Sequence, residues 1–199
     1  QVIESLEQAW NSWGSEASFS NCRNYRWWLK RQLSESSRTI IFIGLNPSKA
    51  NKSENDATLR RIIAFADSWG YGQLLVVNLF ARIAKTPAIL RRSRKPIGSL
   101  NDKVLCNVFK KWSKESDLDL WLGWGIGGVF LNRSDIALSI LRPLLVARDV
   151  YLPKANGLLS LGSTLKGYPR HPLYVSANMC LQHYEQPAEK AQRAFAPSP

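Results

Sequence analysis

The sequence predicts an α/β protein, a three-layer α/β/α arrangement around a mostly parallel central sheet of about four to five strands. Three observations predict it. Residues 40–45 form an apolar, partly β-branched run of the kind that parallel sheets bury on both faces. Two further runs, residues 74–80 and 118–124, have the same character. The segments between them carry apolar residues at helical spacing, and strands that alternate with helices wind into a doubly wound sheet.

Each element has its own signal. Val2, Ile3, Leu6, Ala9, Trp10 and Trp13 recur at helical spacing, so residues 2–13 are expected to form a helix with both tryptophans in the core. Residues 25–33 are aromatic and cationic by turns and read as an edge strand, with a short helix as the alternative. Residues 34–37 make the turn into the central strand. That strand stops at Gly44, Leu45, Asn46, Pro47 and Ser48, because Pro47 has no N–H for the ladder and holds Asn46 extended. A strand ending abruptly in a polar turn is where open α/β sheets place their ligands. Residues 49–55 lack periodicity and read as a loop. Asp56 or Asn55 caps a helix from about Thr58, with Leu59, Ile62, Ile63 and Ala66 on one face and Gly70 as its stop. Arg60 and Arg61 point away from that face, toward solvent or phosphate.

The second buried strand, residues 74–80, also carries a polar group, Asn78. A long connection over residues 81–96 holds the basic cluster Arg91, Arg92, Arg94 and Lys95, and long loops in compact domains are often functional. Ser99 is expected to cap a helix whose face is Val104, Leu105, Val108, Phe109 and Trp112. The third strand runs into the glycine-rich stretch of residues 123–128. Asn132 caps a helix bearing Ile136, Ile140, Leu141 and Leu144, kinked by Pro143. Residues 150–152 and 158–161 are short strand candidates, and residues 166–174 form a rigid, proline-flanked loop. Residues 1–185 are thus read as one domain, followed by a polar tail over residues 186–199 that is expected to fray.

Composition narrows the function. A net charge of +12 favours a polyanion as partner, nucleic acid before membrane. No apolar run approaches the ~20 residues of a membrane span, and acids among the first residues argue against a signal peptide. Cys22, Cys106 and Cys180 are isolated and odd in number, which suits neither disulfides nor a metal or iron–sulfur cluster and points to a reducing cytoplasm. A monomer without cofactor is expected.

The chemistry-bearing residues are sparse. There is no Walker loop and no Gly-x-Ser-x-Gly elbow, and two histidines make a zinc site a poor fit. Amides at Asn46 and Asn78, the glycine-rich turn and His171 could converge on one crevice. Amides read a nucleobase edge because each offers donor and acceptor together. A histidine can donate to an oxygen that becomes anionic as a bond breaks, and an aromatic such as Phe80 can stack on a flipped base. Base excision fits this set better than group transfer.

A resemblance is carried by Gly44-Leu-Asn-Pro-Ser48, Asn55-Asp-Ala-Thr-Leu-Arg60, Trp69-Gly-Tyr-Gly72, Val77-Asn-Leu-Phe-Ala81, Pro96-Ile-Gly98 with Asn101-Asp102, and Arg170-His-Pro-Leu-Tyr174. In order, from about Tyr25 to Tyr174, these motifs resemble the bacterial family catalogued as domain of unknown function 1643. That family is in turn similar to the uracil-DNA glycosylase superfamily. The resemblance implies a uracil-DNA-glycosylase-like fold and metal-free hydrolysis of an N-glycosidic bond in DNA. It implies that Asn46 positions the attacking water, with Asp56 as a possible source of negative charge or only a helix cap. Backbone near Pro47 and Ser48 would touch the base, Phe80 would stack on it, and Asn78 would bond its pairing edge beside a wall containing Gly125. His171 would stabilise the departing base anion. Leu173 and Tyr174 would sit near the gap left in the strand, with Arg60, Arg91, Arg92, Arg94, Lys95 and Arg170 facing DNA. One departure matters: where uracil-specific members use a tyrosine to block C5 substituents, Ser48 leaves the space open. A base bulkier than uracil is therefore expected, such as thymine or a hypermodified phage cytosine. The alternatives are a non-catalytic module that binds nucleic acid or a modified nucleotide, and an enzyme of free nucleotides.

Overall fold

The computed structural model describes residues 1–48 and 55–185; most of the expected loop at 49–55 and the expected tail at 186–199 lie outside them. The centre is a seven-stranded sheet in the order β1-β2-β4-β3-β5-β6-β7. Its strands are β1 (Glu16–Phe19), β2 (Arg26–Gln32), β3 (Thr39–Gly44), β4 (Gln73–Asn78), β5 (Leu118–Leu122), β6 (Leu158–Ser160) and β7 (Gln182–His183). Strands β4, β3, β5 and β6 run parallel. The flanking pairings β1–β2, β2–β4 and β6–β7 are antiparallel. The α/β expectation holds, but the sheet is larger than four to five strands and half of its described pairings are antiparallel.

Period-2 alternation sorts the central strands onto two cores. Ile41, Ile43, Leu75, Val77, Leu120 and Leu122 face α1 (Val2–Asn11), α4 (Asn101–Trp112) and α5 (Arg133–Tyr151). Ile40, Phe42, Leu74, Val76 and Trp121 face α2 (Ala57–Ser68). Helices therefore cover both faces. The chain crosses from β3 to β4 by α2 on one face, and from β4 to β5 by α4 on the other. β3 lies between β4 and β5, so this is a switch point, where a crevice opens at the carboxyl ends of the strands.

Several expectations need correction. Residues 25–33 do contain a strand, but β1 covers its outer side, so β2 is not an edge. The first helix stops at Asn11, so Trp13 falls beyond it and is 69% exposed rather than in the core. Lys30 tethers this end by donating to the carbonyls of Ala9 and Ser12. A short helix, α3 (Pro87–Arg92), interrupts the connection expected to be a loop; Thr86 caps it and Pro87 fits its first turn. Helix α4 begins two residues after Ser99, which is not its cap. Asn132 stands at the start of α5, but in the left-handed region and without a side-chain capping bond. Pro143 sits within α5 without ending it, and Val150 and Tyr151 form its last turn rather than a strand. Among the described residues no helix is long and apolar enough to cross a membrane.

Candidate functional site

The carboxyl ends of β3 and β4 are knitted together. Leu79 N–H donates to Gly44 O at 2.9 Å, Phe80 N–H to Leu45 O at 2.9 Å, and Ala84 N–H to Pro47 O at 3.0 Å. Asn46 joins them from its side chain: Nδ2 donates to the carbonyls of Pro47 and Ala84, both at 2.9 Å. Its nitrogen thus serves the turn, and Oδ1 is left as the acceptor face of the amide. A second set of bonds holds the far side of the β4 end. Asn101 Nδ2 donates to the carbonyls of Asn78 and Leu79, at 2.9 and 3.0 Å. Arg133 Nε donates to Leu79 O at 3.1 Å while its guanidinium pairs with Asp102.

Above these ends lies a cavity of about 390 Å³, in the range of small-molecule sites. It opens on the α2 face of the sheet. Phe42, Gly44, Val76 and Asn78 rise from the strands, and Leu59 and Ile62 come from α2. Asn46 and Ser48 come from the β3 turn, Asp56 from the start of α2, and Trp124, Ile126 and Gly127 from the end of β5. Lys85 and Arg91 stand at the rim beside Thr86 and Pro87, and His171 and Tyr174 close the other side.

Asn78 is 4% exposed, and its Nδ2 has no hydrogen-bond partner among the described residues. A buried donor left over in a ligand-sized cavity wall is costly unless something accepts from it. Gly44 makes room for this amide: a Cβ there would lie 2.7 Å from Asn78 Oδ1 and 3.0 Å from the Phe42 ring. Gly44→Ala is therefore expected to push the Asn78 amide aside, costing about 1–3 kcal/mol of stability and weakening any ligand the amide holds. Parallel denaturation and ligand-binding curves check this; a variant with wild-type values for both would contradict the packing.

His171 accepts from Leu173 N–H through Nδ1 at 3.3 Å. In the neutral ring the proton then sits on Nε2, so the imidazole offers a donor. Burial in the cavity wall pushes its pKa down to about 4. Folding thus excludes a proton that the unfolded chain takes up below about 6.5. Stability is expected to fall as pH drops from about 6.5 to about 4, by at most roughly 3 kcal/mol from this residue, with no contribution above pH 7. Denaturation midpoints from pH 7.5 to 4 should show a slope that His171→Gln flattens; equal slopes would place the acid sensitivity elsewhere.

Asp56 caps α2, its Oδ1 accepting from Leu59 N–H at 2.8 Å, while Oδ2 accepts from the Ser48 hydroxyl. It is the one acid among the cavity-lining residues described.

Other expected residues lie elsewhere. Phe80 is fully buried on the opposite core, its ring centroid 5.3 Å from that of Phe130. The strand ends at Asn78, and the turn carries Phe80 away; Phe42 is the aromatic from the strands that reaches the cavity. Pro47 is buried in the turn and does not line the cavity. Gly125 stands behind His171 instead, its N–H donating to Pro169 O at 3.0 Å. Of the expected DNA-facing residues, Arg91 and Tyr174 are at the rim. Arg92, Arg94, Lys95, Arg60, Arg170 and Leu173 are exposed but outside the cavity lining. Arg60 donates to Asn55 O at 2.6 Å and Arg170 to Ser163 O at 3.1 Å. Sequence reading passed over Arg26, which is 4% exposed, lines the cavity, and has its pKa lowered to about 10 by burial.

Fold and site define an open α/β protein with a ligand-sized cavity at its switch point. Residues 26–173 match the family described as "Protein of unknown function (DUF1643)", and the chain belongs to that family. No curated protein and no solved structure matches the chain.

Proposed function

We propose that the protein is a DNA glycosylase that hydrolyses the N-glycosidic bond of an extruded, C5-substituted pyrimidine and leaves an abasic site. A uracil-DNA-glycosylase-like fold is part of this proposal. The observation that carries it is the convergence of Asn46, Asn78 and His171, far apart in sequence, on one cavity at the ends of the parallel strands. The residues divide the reaction among them. The Asn78 amide donates to a carbonyl of the base, and Phe42 supplies an apolar floor. The C1′–N bond breaks with its electron pair leaving on the base, whose developing oxyanion accepts from His171 Nε2–H. Asn46 Oδ1 accepts a hydrogen bond from the water that adds to C1′, and the water's surplus proton goes to solvent. The Asp56 carboxylate favours the cationic, oxocarbenium-like sugar in between. Lys85, Arg91 and the exposed arginines meet the phosphates.

The test is a panel of DNAs carrying uracil, thymine and modified cytosines, scored by alkali-labile breaks. Breaks should appear with at least one modified base and disappear in Asn46→Ala and His171→Ala. Undiminished cleavage in both variants would refute the assigned roles. Salt-dependent binding without release of any base would instead favour a non-catalytic binding module.

A further inference from the structure

The motif of Pro96, Ile97 and Gly98 followed by Asn101 and Asp102 takes no part in the cavity lining. It packs instead behind the turn that follows β4. Ala81 N–H donates to Ile97 O at 3.0 Å, and Arg82 N–H to Pro96 O at 3.1 Å. Gly98 is left-handed, with φ of 86°, and a Cβ there would lie 2.9 Å from the Trp27 ring and 3.3 Å from the Ala81 Cβ. The chain then enters α4 with Asn101 fully buried beside the end of β4. Asn101 Nδ2 is shared between two successive carbonyls, Asn78 O at 2.9 Å and Leu79 O at 3.0 Å. Arg133, whose side chain is 3% exposed, adds Nε to Leu79 O at 3.1 Å and is itself held by Asp102.

On the cavity side the Asn78 amide is braced differently. Its Nδ2 has no partner among the described residues, and residue 44 beside it is a glycine with no side chain to press on it. The place of the amide therefore follows the backbone of residues 78 and 79. We infer that Asn101 is a positioning residue for the Asn78 amide, with Arg133 and Asp102 as a second hold on the same backbone. It acts on a substrate through Asn78 and touches none itself. The inference rests on the glycosylase reading for the reaction it serves, and it joins the motif of residues 96–102 to that site. A reading group displaced by about 1 Å can cost roughly a hundredfold in rate.

The test uses protein labelled with 15N in its asparagine and histidine side chains, as wild type, Asn101→Ser and Asp102→Asn. The serine is too short to reach both carbonyls. The Asp102 side chain is 59% exposed, so folding is not at stake there. The Asn78 Nδ2H2 signals, assigned with Asn78→Ala, should shift or broaden in Asn101→Ser and, to a lesser extent, in Asp102→Asn. The His171 ring signals should stay in place, since that ring is held by Leu173 N–H. Single-turnover base release, on the panel oligonucleotide that wild type cleaves fastest, should fall about ten- to a hundredfold in Asn101→Ser, with DNA affinity changing much less. Wild-type Asn78 signals in both variants, or equal displacement of the Asn78 and His171 signals, would overturn the positioning role. Should Asn101→Ser not fold, Asp102→Asn decides alone. The two readings fail separately. Displaced Asn78 signals in a protein that releases no base keep the positioning role and remove the glycosylase; base release at the wild-type rate in Asn101→Ser does the reverse.

Discussion

Replacing His171 by alanine is expected to lower base release about a hundred- to a thousand-fold, the usual loss when one donor to a developing oxyanion is removed. The expectation follows from the tautomer. Leu173 N–H occupies Nδ1, so the neutral ring donates from Nε2. Burial keeps the ring neutral down to about pH 4. The wild-type rate should therefore show no titration of His171 between pH 5 and 8. His171→Gln, which restores an N–H donor, should recover part of the loss, and DNA affinity should change much less than the rate. A His171→Ala enzyme with wild-type turnover would remove the imidazole from the chemistry. Asn46→Ala should also abolish release, but there the carbonyls of Pro47 and Ala84 each lose a donor, so its stability must be measured beside its activity.

The largest stability effect is expected at Arg148. This arginine is fully buried in α5 and stacks over Trp112, its guanidinium 4.8 Å from the ring centroid. It donates to the carbonyls of Asn156 and Glu115 at 2.8 Å, of Leu118 at 2.8 Å, and of Trp112. One side chain thus satisfies the end of α4, the entry to β5 and the approach to β6. Arg148→Ala strips a donor from each of these carbonyls, leaving those of Trp112 and Glu115 only long backbone bonds of 3.5 and 3.4 Å from Glu115 and Leu118 N–H, and opens a cavity beside Trp112. The expected cost is roughly 3–5 kcal/mol, or a fall in Tm of roughly 10 °C or more. Arg148→Met, which keeps the stem and its packing, should lose less. Urea denaturation of both variants measures it; an Arg148→Ala midpoint within error of wild type would show that water reaches these carbonyls.

What could be read in the sequence follows from periodicity. Strands β3, β4 and β5 and helices α2 and α4 stood out because an apolar run or helical spacing persists over a whole element. The turn chemistry at Asp56 was equally local, and the cap is there. β1, β7 and α3 were missed: the two strands carry no buried apolar run, and the six residues of α3 make less than two turns. Their absence misassigned β2 as an edge and the basic cluster as a loop. At the site, Asn46 and Asn78 were legible because polar residues stood where apolar strands ended, and His171 because it is one of two histidines and sits in a proline-flanked loop. Phe80 was not, since its position turns on β4 ending two residues earlier. Arg26 was hidden for a different reason: nothing in residues 25–33 says which of several cations is buried beside a cavity.

The most direct measurement is mass spectrometry of the products of one turnover on DNA carrying a single C5-substituted pyrimidine. The expected result is a free intact base and an abasic strand in equal amounts, each formed at least about a hundredfold more slowly with His171→Ala. Strands recovered whole from every substituted DNA, even at saturating protein, would contradict it.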